Sequence, residues 1–128
     1  MAKPYLYTQE MIDRYSRTGD CGNMTISDFW KRNAMEYPHK EALVDSRNRL
    51  TWAQANKLID RLAISLIELG LKRDDMVVLQ LPNCAELLLM RIACERAGLL
   101  QLPVLRTLRH TEMQHILKYT GARVVVIP

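Results

Sequence analysis

Apolar residues recur at helical spacing along much of the chain, and residues that cap helices stand at the borders of these segments. In the clearest segment, Thr51 and Gln54 have the spacing of a capping box, and Gly70 stands where a left-handed C-cap is favoured. The residues between them form one apolar stripe, made of Ala55, Leu58, Ile59, Leu62, Leu66 and Leu69. The pattern therefore predicts a helix between Thr51 and Gly70.

Other segments carry the same kind of signal. They begin at the predicted N-caps Thr25, Asn83 and Thr111 and end at Pro38, Gly98 and Gly121. The helix after Asn83 is apolar around most of its circumference, which predicts that it is largely buried. The helix after Thr25 is predicted to pack through one apolar face, formed by Ile26, Phe29, Trp30 and Tyr37.

Short apolar runs between these helices predict strands at residues 41–45, 76–81, 99–104 and 123–127, with a polar turn at 46–49. Pro103 cannot donate to a sheet ladder, so it marks a strand end or a bulge. From Leu79 onward strands and helices alternate through short links. This order predicts right-handed crossovers and an α/β fold, with parallel-sheet layers flanked by helices.

The two ends of the chain differ from this pattern. Residues 1–23 are polar and irregular, and we predict a lead-in segment with one helical turn. Residues 24–128 then form a single α/β subdomain. The run of β-branched residues at 123–127 suits a strand buried on both faces, whereas termini usually lie at the surface. We therefore expect a protein truncated at residue 128, the front of a longer chain.

Composition narrows the class of protein. The net charge of +4 is scattered and 6% of residues are aromatic, so no nucleic-acid patch is expected. The most apolar stretch, 87–105, is broken by Arg91, Glu95 and Arg96, which excludes a membrane span there. The cysteines have no metal-ligand spacing, which favours a reducing compartment and hence the cytoplasm; they are Cys21, Cys84 and Cys94.

Candidate chemistry is expected where parallel strands end. Asn83 can meet an anion at a helix N-terminus, or can cap its own helix. The loop that carries Arg106, Arg109 and His110 can bind a carboxylate or phosphate, or can be a solvated loop. In both cases we favour the second, structural interpretation.

No other residue gives a recognisable site. His39 and His115 lack a nucleophile or metal-ligand partner, and Trp30 and Trp52 are predicted to lie in the core. The glycines are too scattered to cradle a phosphate. We therefore predict that this chain contributes no catalytic, cofactor-binding or metal-binding residue.

The ordered set of short motifs from about Thr25 to Pro128 resembles the N-terminal part of the adenylate-forming superfamily of acyl- and aryl-CoA ligases. The motifs are Leu50-Thr51-Trp52, Arg61-Leu62-Ala63, Leu69-Gly70, Asp75, Leu81-Pro82-Asn83, Glu86, Ala97-Gly98 and Pro103-Val104. The segment from Thr111 to Val126 also resembles the helix and strand that follow in the family. The chain departs from the family pattern at Gln54 and Ala55, and at Asp74, where glycine is usual.

The resemblance implies an ATP-dependent carboxylic acid:CoA ligase that uses magnesium, and residues 103–112 look like the branch that takes aryl or alicyclic acids. The family's nucleotide-binding and catalytic motifs would all follow Pro128, so the fragment alone is expected to be inactive. Two alternatives stay open: an adenylating enzyme that loads a carrier protein, and a stand-alone α/β interaction module. A fragment of this kind is also expected to self-associate through the exposed edge at Val124–Ile127.

Overall fold

The structure, a computed structural model, describes residues 7–128. Residues 1–6 of the predicted lead-in lie outside this range. The helices are α1 (Gln9–Thr18), α2 (Ile26–Glu36), α3 (Trp52–Glu68), α4 (Ala85–Arg96) and α5 (His110–Thr120). The strands are β1 (Glu41–Val44), β2 (Arg49–Thr51), β3 (Met76–Leu79), β4 (Leu100–Pro103) and β5 (Val124–Val126).

A parallel sheet with the strand order β4-β3-β5 forms the centre of the fold. The crossover through α4 leads from β3 to one edge, and the crossover through α5 leads back across β3 to the other edge. Because both crossovers are expected to be right-handed, they place the two helices on opposite faces. This arrangement explains why Val77, Val78 and Leu79 on β3 have no exposed surface. The predicted α/β class with a parallel sheet is confirmed.

The core lies where α3 and α4 cover one face of this sheet. α3 buries Ala55, Ile59, Ala63 and Leu66, and Gly70 adopts the left-handed conformation after the helix. The predicted stripe is only partly correct: Leu58 and Leu62 are half-buried and Leu69 is 71% exposed. α4 buries residues along its whole length, which confirms its predicted burial. Trp30 and Trp52 meet edge to face with ring centroids 4.8 Å apart at the border of the core.

A polar cluster fastens α2 to this core. The Arg96 guanidinium donates from Nε to the Ser27 hydroxyl at 2.9 Å and from Nη1 to Asp60 at 2.7 Å. A carboxylate oxygen of Glu95 accepts from the Ser27 backbone N–H at 2.9 Å. One turn at the end of α4 therefore binds the first turn of α2 and the middle of α3.

Several local predictions are wrong. The lead-in contains a complete helix, α1, which begins at the N-cap Thr8 and ends at the left-handed Gly19. Residues 49–51 form a strand that pairs antiparallel with β1, where a polar turn and a helix start were predicted. Of the apolar face predicted for α2, only Trp30 is buried. α2 contacts the core through Trp30 and through the cluster around Ser27, so its apolar spacing alone did not decide which of its residues are buried.

The strand β5 also differs from the prediction. Val125 is 37% exposed, because successive side chains of a strand point to opposite faces and that of Val125 points away from the core. The strand's alternate residues, Val124 and Val126, pack against the core. β5 is therefore half-buried, whereas its sequence predicted burial on both faces.

Candidate functional site

The carboxyl edge of the parallel sheet is built around Gln80, which directly follows the central strand. Its backbone N–H donates to the Val126 carbonyl at 2.9 Å. Its side-chain amide donates to the carbonyls of Leu105 and Leu108 at 3.3 and 3.0 Å. Gln80 thereby ties together the ends of all three strands and fixes the loop that precedes α5.

The predicted cationic cluster lies on that loop. Arg106, Arg109 and His110 are all exposed. The backbone N–H of Arg109 donates to the Glu112 carboxylate at 3.0 Å, so α5 begins at Arg109 and not at the predicted cap Thr111. The pKa of Glu112 lies below its usual value because its own backbone N–H, and then that of Arg109, donate to the carboxylate. The arrangement favours the solvated-loop interpretation.

Asn83 is exposed and does not cap α4, which corrects the prediction. The helix begins one residue later, at the N-cap Cys84. The Ala85 N–H is satisfied from another element, because Oδ2 of Asp45 accepts from it at 2.9 Å. Since a protein carboxylate already occupies this helix terminus, an anionic ligand is not needed there.

Asp45, like Gln80, is a residue of this site that sequence reasoning missed. Besides Ala85, its carboxylate accepts the backbone N–H groups of Arg47 and Asn48 at 2.8 and 2.6 Å. These donors, Ala85 first, hold the pKa of Asp45 far below its usual value. An aspartate two residues before a turn residue is a known Asx-turn signal, so the local bonds were predictable. The bond to Ala85, 40 positions away, was not.

A second contact joins the same turn to α4. Nη2 of Arg47 lies 3.2 Å from Oε1 of Glu86. The pKa of Glu86 is lowered because its carboxylate accepts its own backbone N–H and a bond from the Cys84 side chain. The β1–β2 turn is therefore held against the start of α4 at two points.

Asp45 gives the chain a defined acid sensitivity. Because its pKa is depressed on folding, its stabilisation is complete above the unfolded pKa of about 3.9 and is lost as the pH falls below that value. We expect the thermal midpoint of Asp45→Asn to fall less steeply between about pH 4 and pH 2 than that of the wild type. Circular dichroism melts across this range measure both slopes.

The matched control is Asp13→Asn, which removes a carboxylate that accepts from the Gln9 side chain on the exposed helix α1. This variant should keep the wild-type slope. Equal slopes for wild type and Asp45→Asn would show that the Asp45 bonds add nothing to acid stability.

An apolar cleft of about 580 Å³ opens beside the β1–β2 turn. Its walls come from β2, α3, α4, the segment after β3 and the end of β5. Leucine side chains dominate the walls, and Arg47, Asn48 and Glu86 stand among the polar members.

The remaining candidates stay apart. His39 is exposed, and exposed His115 stacks on Tyr119 with ring centroids 6.2 Å apart. Within residues 7–128, no group of three or more His, Cys, Asp or Glu side chains is placed to hold a metal ion. No helix among the described residues is long and apolar enough to cross a bilayer.

Comparison with known proteins decides the family. Residues 30–128 match the AMP-binding enzyme family. This chain belongs to that family. The AMP-binding match confirms the resemblance drawn from the motifs between Leu50 and Val104.

Individual AMP-binding relatives show how much of a complete enzyme the chain represents. It is 28% identical over 122 residues to a 2-hydroxy-7-methoxy-5-methyl-1-naphthoate–CoA ligase of Streptomyces carzinostaticus, covering 95% of this chain and 22% of the ligase. A salicylyl-CoA synthase / salicylate adenylyltransferase of a Streptomyces species shows the same identity and coverage. The apo structure of Mycobacterium smegmatis MbtA superposes with a TM-score of 0.82 at 27% identity, covering 93% of this chain and 23% of MbtA. The chain therefore spans about a fifth of these AMP-binding relatives.

One departure from the family pattern now has a structural setting. Asp74, where glycine is usual, has a positive φ of 66°. Aspartate tolerates this left-handed region better than most residues, although less well than glycine. The Asp74 backbone N–H donates to the Gly98 carbonyl at 2.9 Å, which links the turn before β3 to the end of α4. This AMP-binding chain thus keeps the turn without the glycine.

Proposed function

We propose that residues 24–128 form the N-terminal subdomain of a larger ATP-dependent carboxylic acid:CoA ligase, with residues 1–23 as a lead-in segment. The main support for this proposal is the AMP-binding match over residues 30–128. The chain also covers only 22% of the length of a similar CoA ligase. The motifs from Leu50 to Val104 support the same assignment. We place the parent enzyme in the cytoplasm, with which the free thiols of the described cysteines are compatible.

In the proposed reaction, a carboxylate oxygen of the acid bonds to the α-phosphorus of ATP and pyrophosphate leaves. The sulfur of CoA then bonds to the acyl carbon, AMP leaves and the thiol proton is released. Such chemistry depends on cationic groups and a magnesium ion placed around the phosphates. Because the resemblance implies that the family's nucleotide-binding and catalytic motifs follow Pro128, we assign ATP, magnesium and CoA binding to parts of the parent outside this chain.

The proposed role of this subdomain is to form one layered α/β wall of the parent's large domain. Gln80 and Asp45 support this role, because each joins elements that are distant in sequence. Neither side chain is arranged for catalysis. Their bonds hold the loops at the carboxyl edge in place.

An aryl acid is the favoured substrate class. The named relatives act on a naphthoate and on salicylate, both aromatic carboxylates. The sequence of residues 103–112 agrees with that branch. The salicylate relative is also named an adenylyltransferase, so transfer to a carrier protein stays as the alternative acceptor.

The first test is to sequence the native reading frame past the codon for Pro128 and to express the protein that it encodes. We expect a longer protein that releases pyrophosphate with ATP, magnesium and an aryl acid, and forms an acyl-CoA when CoA is added. The 128-residue chain alone should release none above background. A stop codon directly after Pro128 would support a stand-alone module, and turnover by the short chain would refute the fragment assignment.

We also propose that the short chain self-associates through β5, whose outer side is unpaired in the described sheet. Light scattering should show a mass that rises with concentration. Val125→Lys places a charge on this edge and should reduce the rise. Met35→Lys, at an exposed position of α2, is the control and should not. A strictly monomeric wild type at all concentrations would refute association through the edge.

A further inference from the structure

We draw no further inference here: the strongest candidate, the surface patch of exposed apolar side chains that Met24, Ile26 and Phe29 form around the start of α2, carries none because nothing in the described residues shows what covers it.

Discussion

Replacing Arg96 by methionine is expected to lower the free energy of unfolding of this chain by about 2–4 kcal/mol. The Arg96 side chain is only 8% exposed, and its guanidinium binds the Ser27 hydroxyl and the Asp60 carboxylate. Methionine preserves much of the apolar length of the side chain but removes every donor. The Ser27 hydroxyl then loses its donor at a largely buried site. Urea unfolding followed by circular dichroism measures the change.

Two variants separate the sources of this loss. Arg91→Met removes an exposed arginine from the same helix and should change the free energy of unfolding by less than about 0.5 kcal/mol. Asp60→Asn keeps an acceptor for Arg96 but removes the negative charge. Because the Asp60 side chain is 50% exposed, water partly replaces the ion pair, and we expect a loss of only about 1 kcal/mol. Equal losses for Arg96→Met and Arg91→Met would mean that the Ser27 cluster adds no stability.

Arg96 also shows where sequence reasoning reaches its limit. In the sequence it is one of the charges that interrupt the most apolar stretch, residues 87–105. Its partner Ser27 lies 69 positions earlier, and no periodic pattern connects the two. The partners of a charged residue on a largely apolar helix are determined by tertiary packing, so the sequence pattern alone does not identify them.

Periodic signals were reliable where burial is extensive and weak where it is not. Part of the buried stripe on α3, the extensive burial of α4 and the parallel order of β3, β4 and β5 followed from the sequence pattern. The starts of α4 and α5 did not, because Asp45 satisfies the Ala85 N–H that Asn83 was expected to serve, and Glu112 accepts from the backbone N–H of the actual N-cap, Arg109. The sequence located the cationic loop of the candidate site, but it did not predict that Gln80 holds this loop in place.

Replacing Ile59 by alanine is expected to destabilise the chain by about 2–5 kcal/mol, since Ile59 has no exposed surface and lies in the core between α3 and the sheet. A domain of this size has a total stability of about 5–15 kcal/mol, so the variant should approach the limit of folding. Ile67→Ala is the matched control on the same helix. Ile67 is 54% exposed, and alanine favours helix, so its effect should stay within about 0.5 kcal/mol.

The same pair of variants also distinguishes the core from surface that only the longer protein would cover. If Ile67→Ala is neutral in the short chain but costly in the longer protein, then this side of α3 is buried in the parent as well. If Ile59→Ala and Ile67→Ala are equally mild in the short chain, the buried stripe of α3 has been assigned to the wrong face. Urea midpoints of the three short chains and of the longer protein distinguish these results. The free energy of unfolding that each substitution removes depends on how much apolar surface of the side chain is buried by its neighbours and on the cavity that is left.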